Sequence, residues 1–137
     1  MEIETYISNQ PKDRQSIMAS IHVAVMENDK TVQAVVEPMM GKEMIVYKGK
    51  GLMKYGLASV KNYMSLHAMP IYGSTLLHSK YKALLPKTIF QKGCINFTHE
   101  SDMPLDIIKE LIVDCSKIDL LKMKEAYVKS RKEKKRL

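Results

Sequence analysis

Long apolar runs are missing from this chain. No stretch of about 18 apolar residues occurs, which excludes a helical membrane span. Cysteine is scarce: Cys94 and Cys115 are the only two, and they lie too far apart for a CxxC redox or zinc motif, so both read as free thiols. The six glycines are scattered among turns without a GxGxxG or phosphate loop, and neither HExxH nor GxSxG occurs. The four histidines, at 22, 67, 78 and 99, are too widely spaced to form a local ligand pair. No low-complexity tract, internal repeat or linker interrupts the chain. Met1 is followed by Glu2 and Glu4 instead of the basic start of a secretory signal, so a cytoplasmic protein without a membrane role is the expectation.

What remains is an ordinary globular composition. The 137 residues are 45% hydrophobic and 27% charged, which suits one domain spanning residues 1–137 with a single core. The net charge of +7 is unevenly distributed. The first 40 residues carry three basic and six acidic side chains, whereas residues 122–137 carry eight Lys or Arg against Glu125 and Glu133. A basic run of this kind is usually a solvated face, and no recognised binding motif accompanies it, which disfavours specific nucleic-acid binding.

Apolar spacing predicts a short helix over residues 2–8 and a longer one after Pro11, with Ile17, Met18, Ile21 and Val25 as its stripe and His22 packed or half-exposed beside it. Residues 32–36 run up to Glu37 and Pro38, where any helix must stop. Residues 41–70 then read as three strands, over 43–48, 52–60 and 63–69. They are joined by a turn at Gly49, Lys50 and Gly51 and by a two-residue loop at Lys61 and Asn62. Ser74 caps a helix whose Leu76, Leu77, Tyr81, Leu84 and Leu85 point inward before Pro86. A further strand covers residues 93–98. Pro104 opens a helix with Asp102 as cap and with Leu105, Ile108, Leu111, Ile112 and Cys115 as its buried stripe. The last helix starts at Leu120, is strongly basic, and frays from residue 131. The class is α+β: an antiparallel β-meander sheet of about four to five strands with α-helices packed on it.

The two-residue loop fixes a register, and directly paired residues share a face. Val60 then pairs with Tyr63, Leu57 with Leu66, Gly56 with His67 and Tyr55 with Ala68. One face presents Met53, Tyr55, Leu57, Met64, Leu66 and Ala68 and is expected to be core. The other presents Lys54, Gly56, Ala58, Tyr63, Ser65 and His67, to which Cys94 and Asn96 are added if the strand over 93–98 lies alongside. Lys54, Tyr63, Ser65, His67, Cys94 and Asn96 are therefore the candidate ligand-binding residues of an open sheet face. Of the eleven methionines, Met44, Met53, Met64 and Met69 fall on strands and Met18 and Met26 on a helix, where thioethers fill gaps in cores far more often than they bind copper.

Three stretches carry a resemblance: Lys54 Tyr55 Gly56 Leu57 Ala58 with Lys61 Asn62 Tyr63 Met64 Ser65 Leu66 His67; Phe90 Gln91 Lys92 Gly93 Cys94 Ile95 Asn96 Phe97; and Met103 Pro104 Leu105 Asp106 Ile107 Ile108. Their order and spacing resemble the YdhG-like family of small bacterial proteins over roughly residues 12–117. The resemblance implies a frataxin-like outline with helices against an antiparallel sheet, and it implies relatives acting as frataxin-like iron chaperones. An iron-handling surface of that type would draw on the acidic residues of the first 40 positions.

The expected function is a non-enzymatic domain that binds a metal ion or small ligand on the open face. Iron is the one cofactor the resemblance suggests. The alternative is an interaction module without a ligand, whose polar face is covered by a helix or a homodimer partner, or whose basic tail meets an acidic partner or nucleic acid.

Overall fold

The computed structural model describes residues 1–136. Its elements are helices α1 (Ile3–Ser8) and α2 (Lys12–Asn28), strands β1 (Gln33–Met39), β2 (Lys42–Gly49), β3 (Leu52–Ser59) and β4 (Met64–Ala68), helices α3 (Met69–Tyr72) and α4 (Thr75–Leu84), strands β5 (Ile89–Gln91) and β6 (Cys94–Phe97), and helices α5 (Leu105–Ser116) and α6 (Leu120–Arg136). The fold is α+β. Its six strands form one antiparallel, unclosed sheet in the order β1-β2-β3-β4-β6-β5. No helix among the described residues is long and apolar enough to cross a membrane.

The sheet has six strands where four to five were expected, because β1 and β5 give weak signals. Pro38 cannot donate to a ladder, yet it is tolerated in β1 because β1 is an edge strand. At the other edge, β5 is only three residues long. Tight turns join the first strands. Met40 and Gly41 connect β1 to β2, and Lys50 and Gly51 connect β2 to β3, all four with positive φ. Lys61 and Asn62 do connect β3 to β4, and the expected register holds from Ser59↔Met64 to Tyr55↔Ala68. Asn62 does not adopt positive φ, however. An arginine secures that turn instead: the Arg14 guanidinium donates to Ser59 Oγ (2.8 Å) and to the carbonyls of Val60 (2.5 Å), Lys61 (3.3 Å) and Tyr63 (3.3 Å).

Alternation along the strands sorts the sheet into two faces. On one, Val36, Ile45, Leu57, Leu66, Ile95 and Phe90 line up across all six strands, one residue from each. This row packs under Ile17, Ile21 and Val25 of α2 and Ile108, Leu111 and Ile112 of α5, forming the main core with Tyr6 of α1. Burial of side chains this size, at roughly 25 cal/mol per Å² of apolar surface, is the main stabilising term.

The helices correct several expectations. Leu76, Leu84 and Leu105 face solvent instead of the core, because α4 is anchored through Tyr81 and α5 through Ile108, Leu111, Ile112 and Cys115. Asp102 does not cap α5. It lies in a 3-10 turn, Glu100–Asp102, where its carboxylate accepts from the Thr98 and His99 N–H groups. The chain leaves β4 one residue earlier than expected and forms α3, with Pro70 in its first turn. Helix α6 runs from Leu120 to Arg136, and Leu137 lies outside the described residues.

Candidate functional site

The face turned away from α2 and α5 carries a different pair of rows. Val35, Val46, Gly56, His67, Cys94 and Gln91 form one. Ala58, Ser65, Asn96 and Ile89 form the next. Small residues on β3 sit beside polar residues on β4 and β6, so the middle of the face is a trough with a polar wall.

Two of the six candidate residues meet directly. His67 Nδ1 lies 3.0 Å from Cys94 Sγ across the β4–β6 ladder. Burial lowers the His67 pKa and raises that of Cys94, so at neutral pH the pair is an uncharged imidazole and a thiol, with the direction of their hydrogen bond set by the imidazole tautomer. Ser65, next along β4 on this face, is 4% exposed, and its Oγ is the one buried side-chain oxygen or nitrogen among the described residues that has no hydrogen-bond partner. Asn96 stands opposite Ser65 and donates to Gln91 Oε1 at 3.3 Å. Tyr63 is 39% exposed and, with Asn62, Ile89, Gln91 and Asn96, borders a hollow of about 320 Å³ at the end of the face.

Lys54 is not part of this face. Tyr47 pairs with Tyr55 while Lys48 pairs with Met53, so Lys54 is the extra residue of a β-bulge. One inserted residue exchanges the faces of everything before it. Lys54 therefore turns toward the helices and pairs with the buried Asp29, and Met53, expected in the core, turns onto the open face. Nothing in the local sequence marks the bulge.

Sequence reasoning also missed what fills the trough. A Cβ on Gly56 would collide with Met44 Cε and lie 2.7 Å from Met53 Cε, so both methionines end directly over the glycine, beside His67 Cβ. With Val46 and Ala58, flanked by Met39, they form a small second apolar cluster. At the β1 edge, Lys48 Nζ pairs with Glu37 Oε1 at 2.8 Å. The alternation of Met44 with Val46 along β2 is the signal that would have placed the first methionine here.

The other histidines are elsewhere. His22 Nδ1 is 2.7 Å from the Tyr47 hydroxyl in the packed, half-exposed position expected for it, His78 stacks edge-on against Phe90, and His99 is exposed. Among the described residues, no group of three or more His, Cys, Asp and Glu side chains gathers that could hold a metal ion. Comparison with protein-family models, with curated proteins and with solved structures finds no match to this chain.

Proposed function

We propose that this protein is a non-enzymatic binding domain whose ligand site is the open sheet face around His67, Cys94, Ser65 and Asn96. The observation that carries this reading is the unpartnered Ser65 Oγ, buried beside the His67–Cys94 pair. A buried hydroxyl without a partner costs about 1–3 kcal/mol, and a polar ligand seated on the β4–β6 wall would satisfy it. Asn96 and Gln91 add an amide donor and acceptors along the same wall.

A nucleophilic enzyme fits the site less well. An activated cysteine is a thiolate held by a cationic neighbour, whereas burial keeps both members of this pair neutral. The resemblance to YdhG-like proteins supports a frataxin-like binding role. For iron, though, two donors are fewer than the three protein ligands of a typical non-haem site.

The test is an NMR titration of the full chain, anaerobic for Fe(II), with Zn(II) and a panel of small polar compounds alongside. Saturable shifts at residues 65–67 and 94–96, reduced by His67→Ala in a variant that still melts cooperatively, are expected. Titrations that never saturate, or that saturate identically in the variant, overturn the reading.

A second reading rests on α6. This helix is basic and exposed along most of its length, and with Leu52, Met53, Met69 and Tyr72 its residues Met123 and Tyr127 border an apolar groove of about 780 Å³. An interaction module would use that surface. Salt-dependent retention on an anionic column, lost in Lys129→Glu/Lys132→Glu while the NMR titrations stay flat, would favour it.

A further inference from the structure

The geometry points to the His67–Cys94 pair as a low-coordinate site for a soft monovalent metal ion of the copper(I) class, with the thioethers of Met44 and Met53 as auxiliary donors. This inference rests on the reading of the open face as a binding surface and names the class of ligand it takes.

The donor set decides the class. His67 Nδ1 and Cys94 Sγ face each other at 3.0 Å on adjacent strands, which hold their backbones in register. Both are partly accessible, so an ion can reach them. Divalent zinc takes four ligands and ferrous sites commonly use three protein donors with open positions, and no such group exists among the described residues. Thiolate and thioether ligands favour Cu(I), a soft ion satisfied by two or three donors. With metal–nitrogen and metal–sulfur distances of about 2.0 and about 2.3 Å, an ion is held by the two atoms once they separate by about 0.7 Å in a three-coordinate site or about 1.3 Å in a linear one. Rotation of the two side chains supplies that movement without disturbing the ladder.

The thioethers are an independent observation. The next residue along the row from His67 is Gly56, and the space over it is taken by the ends of Met44 and Met53. These are two unbranched, flexible side chains reaching from separate strands to one point over Gly56, on the side of His67 away from Cys94, from which rotation of their thioethers brings them toward the pair. Beside them stand the apolar or neutral Val46, Ala58, Ser65 and Gln91, and the one charge opposite Met44, Glu37, is neutralised by Lys48. A low-charge, sulfur-rich surround of this kind suits a monovalent ion better than a hard divalent one. On binding, the Cys94 S–H bond breaks, the S–metal bond forms and the proton leaves to solvent, with no change of oxidation state.

The test is anaerobic titration of the purified full chain with Cu(I) buffered by bicinchoninate, read as loss of the competitor's colour and as growth of thiolate-to-copper absorption in the ultraviolet. Ag(I), which is redox-inert, serves as a second probe followed by NMR. One ion per chain is expected. Cys94→Ser and His67→Gln should each weaken binding beyond the roughly 10–100-fold typical of an outer-shell change, whereas Met44→Leu and Met53→Leu should fall within that range. Cys115→Ser, whose thiol is buried in the main core, should leave binding unchanged. Absence of stoichiometric uptake, or uptake that survives Cys94→Ser, overturns the inference. If Cu(I) and Ag(I) fail while Fe(II), Zn(II) or a small polar compound still saturates at residues 65–67 and 94–96, this inference falls and the binding reading stands. If every titration is flat, both fall.

Discussion

Lys54 Nζ lies 2.9 Å from Asp29 Oδ2, with the two side chains 5% and 0% exposed. The pair closes the C-terminal end of α2 against the bulge in β3. Asp29 also accepts from the Tyr55 hydroxyl (2.7 Å) and from Thr31 N and Oγ1, so each of its lone pairs is used. A buried pair is not by itself a stabilising device, but leaving one member alone is costly.

Removing the lysine should therefore be severe. Lys54→Met leaves a buried carboxylate uncompensated and is expected to destabilise by about 3 kcal/mol or more in urea unfolding. Asp29→Asn, which strands the lysine, should act in the same direction. The acid limb gives a second readout. Burial pushes the Asp29 carboxyl up, but bonds from Thr31, Lys54 and Tyr55 outweigh it and hold the group below 3.8. The stability it contributes is present above pH 3.8 and lost as pH falls through the lower folded value. That part of the acid slope should be missing in Asp29→Asn.

The β3–β4 turn should depend on a residue 45 or more positions away in sequence. Arg14→Ala removes a cation bonded to Ser59 Oγ and three turn carbonyls, and a loss of about 2 kcal/mol is expected. Amide exchange should quicken at Val60, whose N–H bonds to the Tyr63 carbonyl, well before it changes in β6. Unchanged exchange there would show that the clamp is dispensable.

His22 makes a prediction on the neutral side. Burial lowers its pKa from 6.5, and its Nδ1 shares a hydrogen bond with the Tyr47 hydroxyl, which its own burial keeps protonated. A histidine buried neutral stabilises fully above pH 6.5, and that stability is lost as pH falls through its lower folded value. Unfolding free energy should thus decline from about pH 7 to about pH 5, the range in which histidine titrates. His22→Gln keeps a hydrogen-bond partner for Tyr47 and should flatten the decline.

Gly56 tests the packing of the open face. Its φ is not positive, so an added Cβ meets sterics alone, from the flexible ends of Met44 and Met53. Gly56→Ala should cost about 1 kcal/mol, at the low end of overpacking, and Gly56→Val more. Adding Met53→Ala should make the double variant less destabilised than the sum of its parts, a coupling read from a double-mutant cycle.

Much of the architecture was legible in local signals. Gly-rich and Lys–Asn turns at 49–51 and 61–62 delimited β3, and a two-residue loop fixed the pairing of Leu57 with Leu66 and Gly56 with His67. Helical spacing in α2 and α5 identified the side chains that cover the core. The strand beginning near Gly93 was also visible, and with it the polar edge formed by Cys94 and Asn96. Its position beside β4 was a condition the sequence could state but not decide.

Short strands and irregular backbone were not legible. A three-residue β5 has no periodicity to detect, and a proline in β1 argues against a strand until the strand is known to lie on an edge.

By itself, the sequence determined the α+β class, the central hairpin register and the identity of most core residues, because these follow from turn chemistry and from apolar spacing within a few residues. Only the tertiary structure decided which face Lys54 and Met53 occupy, since a bulge depends on how two strands meet and leaves no mark on either alone. The same holds for the contact of His67 with Cys94, for the convergence of Met44 and Met53 over Gly56, and for the reach of Arg14 to the distant turn. Each joins residues far apart in the chain, so only packing brings them together.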